Sequence, residues 1–123
     1  MNFRYTFLVI FLLSIATSYS QINNIKDENG KKHGLWISKY KNGKTKAELT
    51  YSHGVPDGLS IRYETNGKKK TELVFSKNGT FARAILFHPN GKPLATGNYL
   101  NKQKDSTWNF YSIKGPVIKT ANY

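Results

Sequence analysis

The sequence predicts an all-β fold: a single-layer antiparallel meander of tandem 24-residue β-hairpins with about seven or eight strands. Three phased observations predict it. Asn-Gly stands at Asn42-Gly43, Asn66-Gly67 and Asn90-Gly91, and Lys114-Gly115 fills the next slot, so glycines recur at 43, 67, 91 and 115 in steps of 24. An aromatic residue follows each glycine by eight positions, at Tyr51, Phe75, Tyr99 and Tyr123. A small residue precedes each glycine by nine, at Gly34, Gly58, Ala82 and Ser106. The repeats therefore run 34–57, 58–81, 82–105 and 106–123.

Residues 1–20 read as a cleaved signal peptide. Arg4 precedes an apolar run from Phe7 to Ala16, and Ser18 and Ser20 supply the small residues at −3 and −1 of a cut after Ser20. A ten-residue helix spans roughly 15 Å, about half of a bilayer core, so the run is short for an anchor. The chain has no cysteine, which excludes both a lipid-anchored cleavage site and disulfide bonds. The expected location is the periplasm or the outside of the cell, with Gln21 as the new N-terminus. Residues 21–33 form a lead-in with room for one strand between Ile22 and Asp27, since Gly30 lies 24 positions before Gly54.

Within each repeat, two short strands flank the Asn-Gly loop. Leu59-Ser60-Ile61-Arg62-Tyr63 alternates apolar and polar residues, and Thr71-Glu72-Leu73-Val74-Phe75 is apolar at 73 and 75. Ser52-His53-Gly54-Val55-Pro56-Asp57-Gly58 has a turn composition and separates the hairpins. Seven strands are expected from Leu35 to Tyr123, with an eighth from the lead-in.

Parity selects the loop length. A two-residue Asn66-Gly67 loop makes paired numbers sum to 133 and sets Ile61 opposite Glu72. A three-residue loop ending in a left-handed glycine makes the sum 132 and gathers 59, 61, 63, 71, 73 and 75 on one face. The sequence therefore predicts three-residue loops with Gly43, Gly67 and Gly91 left-handed. Applied throughout, the rule places Leu35, Ile37, Ala47, Leu49, Tyr51, Leu59, Ile61, Tyr63, Leu73, Phe75, Ile85, Phe87, Ala95, Tyr99, Tyr111, Val117 and Tyr123 on an apolar face. The other face receives Trp36, Tyr40, Lys44, Lys46, Glu48, Arg62, Lys70, Glu72, Leu86, His88, Trp108 and Phe110. On it, Trp36, Tyr40, Lys44, Lys46, Arg62, Lys70, Trp108 and Phe110 form the candidate binding surface. Gly43, Gly67, Gly91 and Gly115 are structural turn residues, and Tyr51, Phe75, Tyr99 and Tyr123 structural aromatics. No segment has a helical apolar period long enough to cover the sheet. The apolar face must curl, dimerise or meet a partner.

The run Gly34-Leu35-Trp36-Ile37-Ser38-Lys39-Tyr40-Lys41-Asn42-Gly43-Lys44, followed by Tyr51 and Gly54-Val55-Pro56-Asp57-Gly58, resembles the MORN family, and within it the bacterial MORN variant grouped with the YwqK-type antitoxins. The resemblance covers about residues 29–123. Later copies depart from it: Ser60 and Ala84 stand in place of the tryptophan, Ala82 and Ser106 in place of the leading glycine, and Trp108 restores the tryptophan. The resemblance implies a β-hairpin meander used for protein contacts, phospholipid contact in some members and toxin neutralisation in others. An export signal fits an immunity role outside the cytoplasm better than an intracellular antitoxin.

The residues carry little catalytic chemistry. His33, His53 and His88 are the good base candidates, without a metal-ligand spacing around them. Glu48 and Glu72 occupy equivalent positions about 9.6 Å apart in a meander, near an inverting-glycosidase separation. Lys46 and Lys70 stand beside them as expected ion-pair partners. No nucleophile elbow or phosphate-binding glycine loop is present. Asn78-Gly79-Thr80 matches a glycosylation sequon that turn chemistry also explains. Lys68-Lys69-Lys70 is an anion contact or, more simply, a charged tip that keeps neighbouring chains away. Removing Arg4 leaves 18 basic against 7 acidic side chains, net +11. The expectation is a non-enzymatic module with no cofactor and no metal. Its partner is another protein or a second copy, with an anionic lipid or envelope polymer as the alternative. Export speaks against nucleic acid.

Overall fold

The computed structural model describes residues 22–123; the expected signal segment 1–20 and its expected cut site lie outside the described residues. Nine strands follow one another: β1 (Ile25–Lys26), β2 (Lys32–Lys39), β3 (Thr45–Ser52), β4 (Val55–Tyr63), β5 (Lys69–Ser76), β6 (Phe81–Phe87), β7 (Pro93–Leu100), β8 (Gln103–Tyr111) and β9 (Val117–Asn122). Each pairs antiparallel with the next in one open sheet, the single-layer meander expected from the repeat. No helix occurs among the described residues. Eight strands rather than seven lie between Leu35 and Tyr123, because both arms of the fourth hairpin are complete.

The hairpin loops are the expected ones. Tyr40 N–H donates to the Lys44 carbonyl (2.9 Å) and Gly43 N–H to the Tyr40 carbonyl (3.0 Å), and the same two bonds recur at Glu64–Lys68, His88–Lys92 and Ser112–Pro116. Gly43, Gly67 and Gly91 have φ of 83°, 87° and 85°, a region where a Cβ is unfavourable. The side-chain oxygens of Asn42, Asn66 and Asn90 accept from the N–H two residues on, closing an Asx turn inside each loop.

One pair beyond the loop, the expected register fails. Tyr63 pairs with Lys69, a sum of 132, but Arg62 pairs with Thr71, a sum of 133. Lys70 is the extra residue of a β-bulge, and a bulge reverses parity for the remainder of the strand. Lys46, Leu94 and Ile118 are bulged at the equivalent points of the other hairpins. The face assignment is corrected accordingly. Leu35, Ile37, Leu59, Ile61 and Ile85 lie opposite to the side expected. Trp36, Arg62, Leu86, Trp108 and Phe110 share a face with Leu49, Tyr51, Leu73, Phe75, Ala95 and Tyr99.

Burial accounts for this choice. The observed register brings the Trp108 indole down on Gly97, where it is 0% exposed, the largest fully buried side chain among the described residues. Ala84 and Ala95 are buried with it, and Leu73, Leu86, Leu94, Tyr99 and Phe110 pack around them. Removing an aromatic side chain of this size from water is worth about 4–6 kcal/mol by area, an upper figure.

The connections between repeats are shorter than their composition suggests. His53-Gly54 alone joins β3 to β4, and Asn101-Lys102 joins β7 to β8, each with both residues at positive φ. Val55-Pro56-Asp57-Gly58, expected as turn, begins β4. Gly58 (φ 83°) and Ser106 (φ 59°) sit where β4 and β8 bulge against the preceding strand. Ala82, at the equivalent position of the third repeat, lies in β6, whose pairing with β5 has no shift.

Candidate interaction face

Along the aromatic face, two 24-residue series alternate from strand to strand. One reads Trp36, Ser60, Ala84, Trp108 and the other Leu49, Leu73, Gly97, Ala121; cross-strand pairs such as Trp36–Leu49, Ser60–Leu73 and Trp108–Ala121 bring them side by side. Neighbouring strands lie about 4.8 Å apart, so the two tryptophans, on β2 and β8, stand roughly 29 Å apart along the sheet.

Each tryptophan anchors one end of the face. The Lys32 ammonium lies 4.8 Å from the Trp36 ring and 5.4 Å from the Tyr51 ring, and the Trp36 indole N–H donates to the Ile25 carbonyl (2.9 Å). At the other end, the Lys104 ammonium lies 5.2 Å from Trp108, 5.3 Å from Phe110 and 5.2 Å from Tyr123. The Trp108 indole N–H donates to the Asn98 carbonyl (3.0 Å), and its ring stands edge-on to Tyr99 at 5.0 Å. Lysine over an aromatic face is attracted by the ring quadrupole and keeps its aliphatic stem against the sheet.

Between the two ends the pattern is interrupted. Ser60 and Ala84 replace tryptophan, and Pro56 and Thr80 stand where Lys32 and Lys104 stand in the outer repeats. Pro56 and Thr80 line an apolar trough of about 420 Å³ together with Leu73, Phe75, Gly79, Phe81, Ala82, Tyr99 and Lys102. A smaller hollow of about 90 Å³ shares Pro56, Leu73 and Phe75 with it and reaches Leu49, Tyr51, Ser60, Arg62 and Thr71. The trough is concave, largely apolar and edged by one cation, Lys102, a composition suited to receiving an apolar side chain.

The eight candidate binding residues do not form one surface. Trp36, Arg62, Trp108 and Phe110 lie on the aromatic face, with Trp108 buried too completely to touch a partner. Lys46 and Lys70 are the bulged residues, exposed beside the loops, and the Lys46 ammonium lies 5.9 Å from the Tyr40 ring. Tyr40 and Lys44 belong to the hairpin tips: the Tyr40 hydroxyl donates to the Tyr63 carbonyl (2.7 Å) and the Lys44 ammonium to the Asn66 carbonyl (3.2 Å). Asn42 and Asn90 likewise donate to the carbonyls of Thr65 and Ile113 in the next tip, and a His88 ring nitrogen lies 2.8 Å from the Tyr111 carbonyl. These residues tie hairpin to hairpin. Sequence reasoning missed Pro56, Phe81, Lys102 and Lys104. Gly97 was the available signal, since a strand glycine between Thr96 and Asn98 marks a close approach.

On the opposite face the two carboxylates are already partnered, though not by Lys46 and Lys70. The Tyr63 hydroxyl donates to Glu48 (3.1 Å), while Glu72 is paired with Lys69. Burial, followed by the hydrogen bond to Glu48, raises the Tyr63 hydroxyl above its ordinary range. The hydrogen bond to Glu72 raises the Lys69 ammonium. Of the histidines, His53 pairs with Asp27 (2.8 Å) and stacks on His33 at 4.3 Å, and its backbone N–H donates to the His33 Nδ1 (3.1 Å). Asp27 also accepts from the N–H groups of Asn29 and Lys31, each at 2.9 Å. The Lys31 N–H first, then the His53 ring, hold its carboxyl below the usual range. The cluster clips the lead-in to the first inter-repeat turn. No group of three metal-ligating side chains stands together among the described residues.

Residues 32–53 and 83–101 match a family model described as a MORN repeat variant. The matched segments are the first hairpin, β2 to β3, and the third, β6 to β7. No curated protein and no solved structure matches the chain. Repeats of this family are generally interaction modules and generally non-enzymatic. Two of the four hairpins in this sheet thus match the MORN-repeat-variant model, and the other two follow the same 24-residue plan.

Proposed function

We propose that the protein is an exported, non-enzymatic interaction module that binds another protein through the aromatic face of its sheet. The trough between Trp36 and Trp108 carries this reading. It is apolar, it is edged by Lys102, and no described element covers it. A partner side chain seated there would contact Leu73, Phe75 and Tyr99 together, an apolar and aromatic pocket of the kind in which binding energy concentrates. Export rests on residues 1–20, and N-terminal sequencing of the mature protein is expected to begin at Gln21. The toxin partner that the antitoxin resemblance implies falls within the same reading.

The test is site-specific photo-crosslinking in intact cells. A photoreactive residue at Thr80, on the rim of the trough, is expected to capture one dominant protein, while the same group at Arg83, on the opposite face, does not. Phe75→Ala is expected to weaken that complex roughly tenfold while leaving the fold intact. Equal capture from Thr80 and Arg83, or no effect of Phe75→Ala, would remove the aromatic face from the interaction.

A further inference from the structure

The two outer edges of the sheet are finished differently. At the first edge, β1 is only two residues long, yet the exposed backbone of β2 is occupied. Asn24 N–H donates to the Leu35 carbonyl (2.8 Å). The Asn24 side chain then bridges Ile37, accepting from its N–H (2.6 Å) and donating to its carbonyl (2.9 Å). One asparagine thus stands in for the next strand and closes the edge. At the other end, β9 is six residues long, and no described strand lies beyond it. Tyr123 exchanges both backbone bonds with Ser106, so the alternation of an antiparallel ladder turns the N–H and C=O groups of Thr120 and Asn122 outward. The strand contains no proline and no acid, and Val117 and Ile118 are 54% and 69% exposed.

We infer that the outward edge of β9, which no described strand covers, is a second docking site, which receives an extended acidic protein segment as an added strand. Backbone bonds to Thr120 and Asn122 supply the affinity of this mode, and side-chain alternation supplies its selectivity. The charge of the occupant follows from the surroundings. Lys104, Lys114 and Lys119 belong to the last hairpin with only Asp105 against them, and the whole chain carries a net +12. A second copy is disfavoured by that same charge. Pairing β9 with itself would also bury well below the roughly 1,200 Å² of a stable interface. The site is separate from the trough, so either can fail without the other.

The probe is a synthetic peptide of about eight residues that alternates glutamate and valine, added to the full mature chain while amide exchange is followed residue by residue. The expected result is slowed exchange at Thr120 and Asn122 that weakens with salt, and none with a peptide alternating lysine and valine. Thr120→Pro removes only an outward N–H, a position where an edge strand tolerates proline, and is expected to weaken binding at least tenfold. Lys119→Glu leaves the backbone as it is and is expected to reverse the preference between the two peptides. Equal response to both peptides, no slowing at millimolar peptide, or slowing that appears with protein concentration alone would each overturn the proposal.

Discussion

The first and last hairpins carry the same Lys–Trp–Tyr arrangement 72 residues apart, yet one tryptophan is half-buried and the other is sealed. Lys32, Trp36 and Tyr51 correspond to Lys104, Trp108 and Tyr123. The difference lies across the ladder. Trp36 is paired with Leu49 and has only the two-residue β1 on its other side; Trp108 is paired with the smaller Ala121 and lies over Gly97 of the full-length β7, in a cluster with Ala84. A repeat position therefore has no fixed burial of its own. The residue on the adjoining strand decides whether the same side chain is a core residue or a surface residue.

The strongest way to break the comparison is truncation. Trp108→Ala is expected to cost about 3–5 kcal/mol, a fall in Tm of roughly 20 °C in thermal unfolding. Trp36→Ala is expected to cost less than half as much. Equal losses would show that the two indoles contribute alike despite their burial. Next in size is Gly97→Ala. A Cβ at this position overlaps the Trp108 ring, so the indole must move, at about 2–3 kcal/mol. In a Trp108→Ala background the same change is expected to be nearly neutral, a coupling that a double-mutant cycle reads directly.

A smaller change sharpens the comparison instead. Ser106 holds φ of 59° where the first hairpin has Gly34 at 76°. Ser106→Gly is expected to raise stability by roughly 1 kcal/mol in chemical denaturation, and unchanged stability would mean the serine is unstrained there. The smallest effect is local to the first hairpin. The Asp27 carboxyl is lowered by the Lys31 N–H and by His53, so its contribution is present above the ordinary carboxylate range and is lost as pH falls through its folded value. Acidification is expected to lower the protection of the Asn29 and Lys31 amides, measured against their intrinsic exchange rates at each pH, before the last hairpin responds. Asp27→Asn should abolish that pH dependence.

The loops were legible because their chemistry is residue-specific: Asn-Gly with a left-handed glycine leaves few alternatives. The register was not legible, because the bulged position is occupied by Lys46, Lys70, Leu94 and Ile118, which share a period but no chemical character. Apolar residues on the first strands then fit either parity. Two features pointed to the correct one. Both tryptophans fell on the face read as polar, and Gly97 interrupted a strand without a turn to explain it. The trough was likewise written in the sequence as the substitutions Pro56 and Thr80, where the outer repeats have Lys32 and Lys104. It becomes a cavity only after the register places them beside Leu73, Phe75 and Tyr99.

The hydrogen bonds from Asn42, Tyr40 and Asn90 reach only the next hairpin tip, 23 residues along the chain in each case, and every described strand pairs only with its sequence neighbours. Such a molecule is modular in length. Duplicating or deleting one whole 24-residue unit preserves each junction, whereas inserting one residue inside a strand turns that strand over. Genes for proteins built this way can gain or lose units freely, so related chains should differ in the number of hairpins sooner than in the spacing within one.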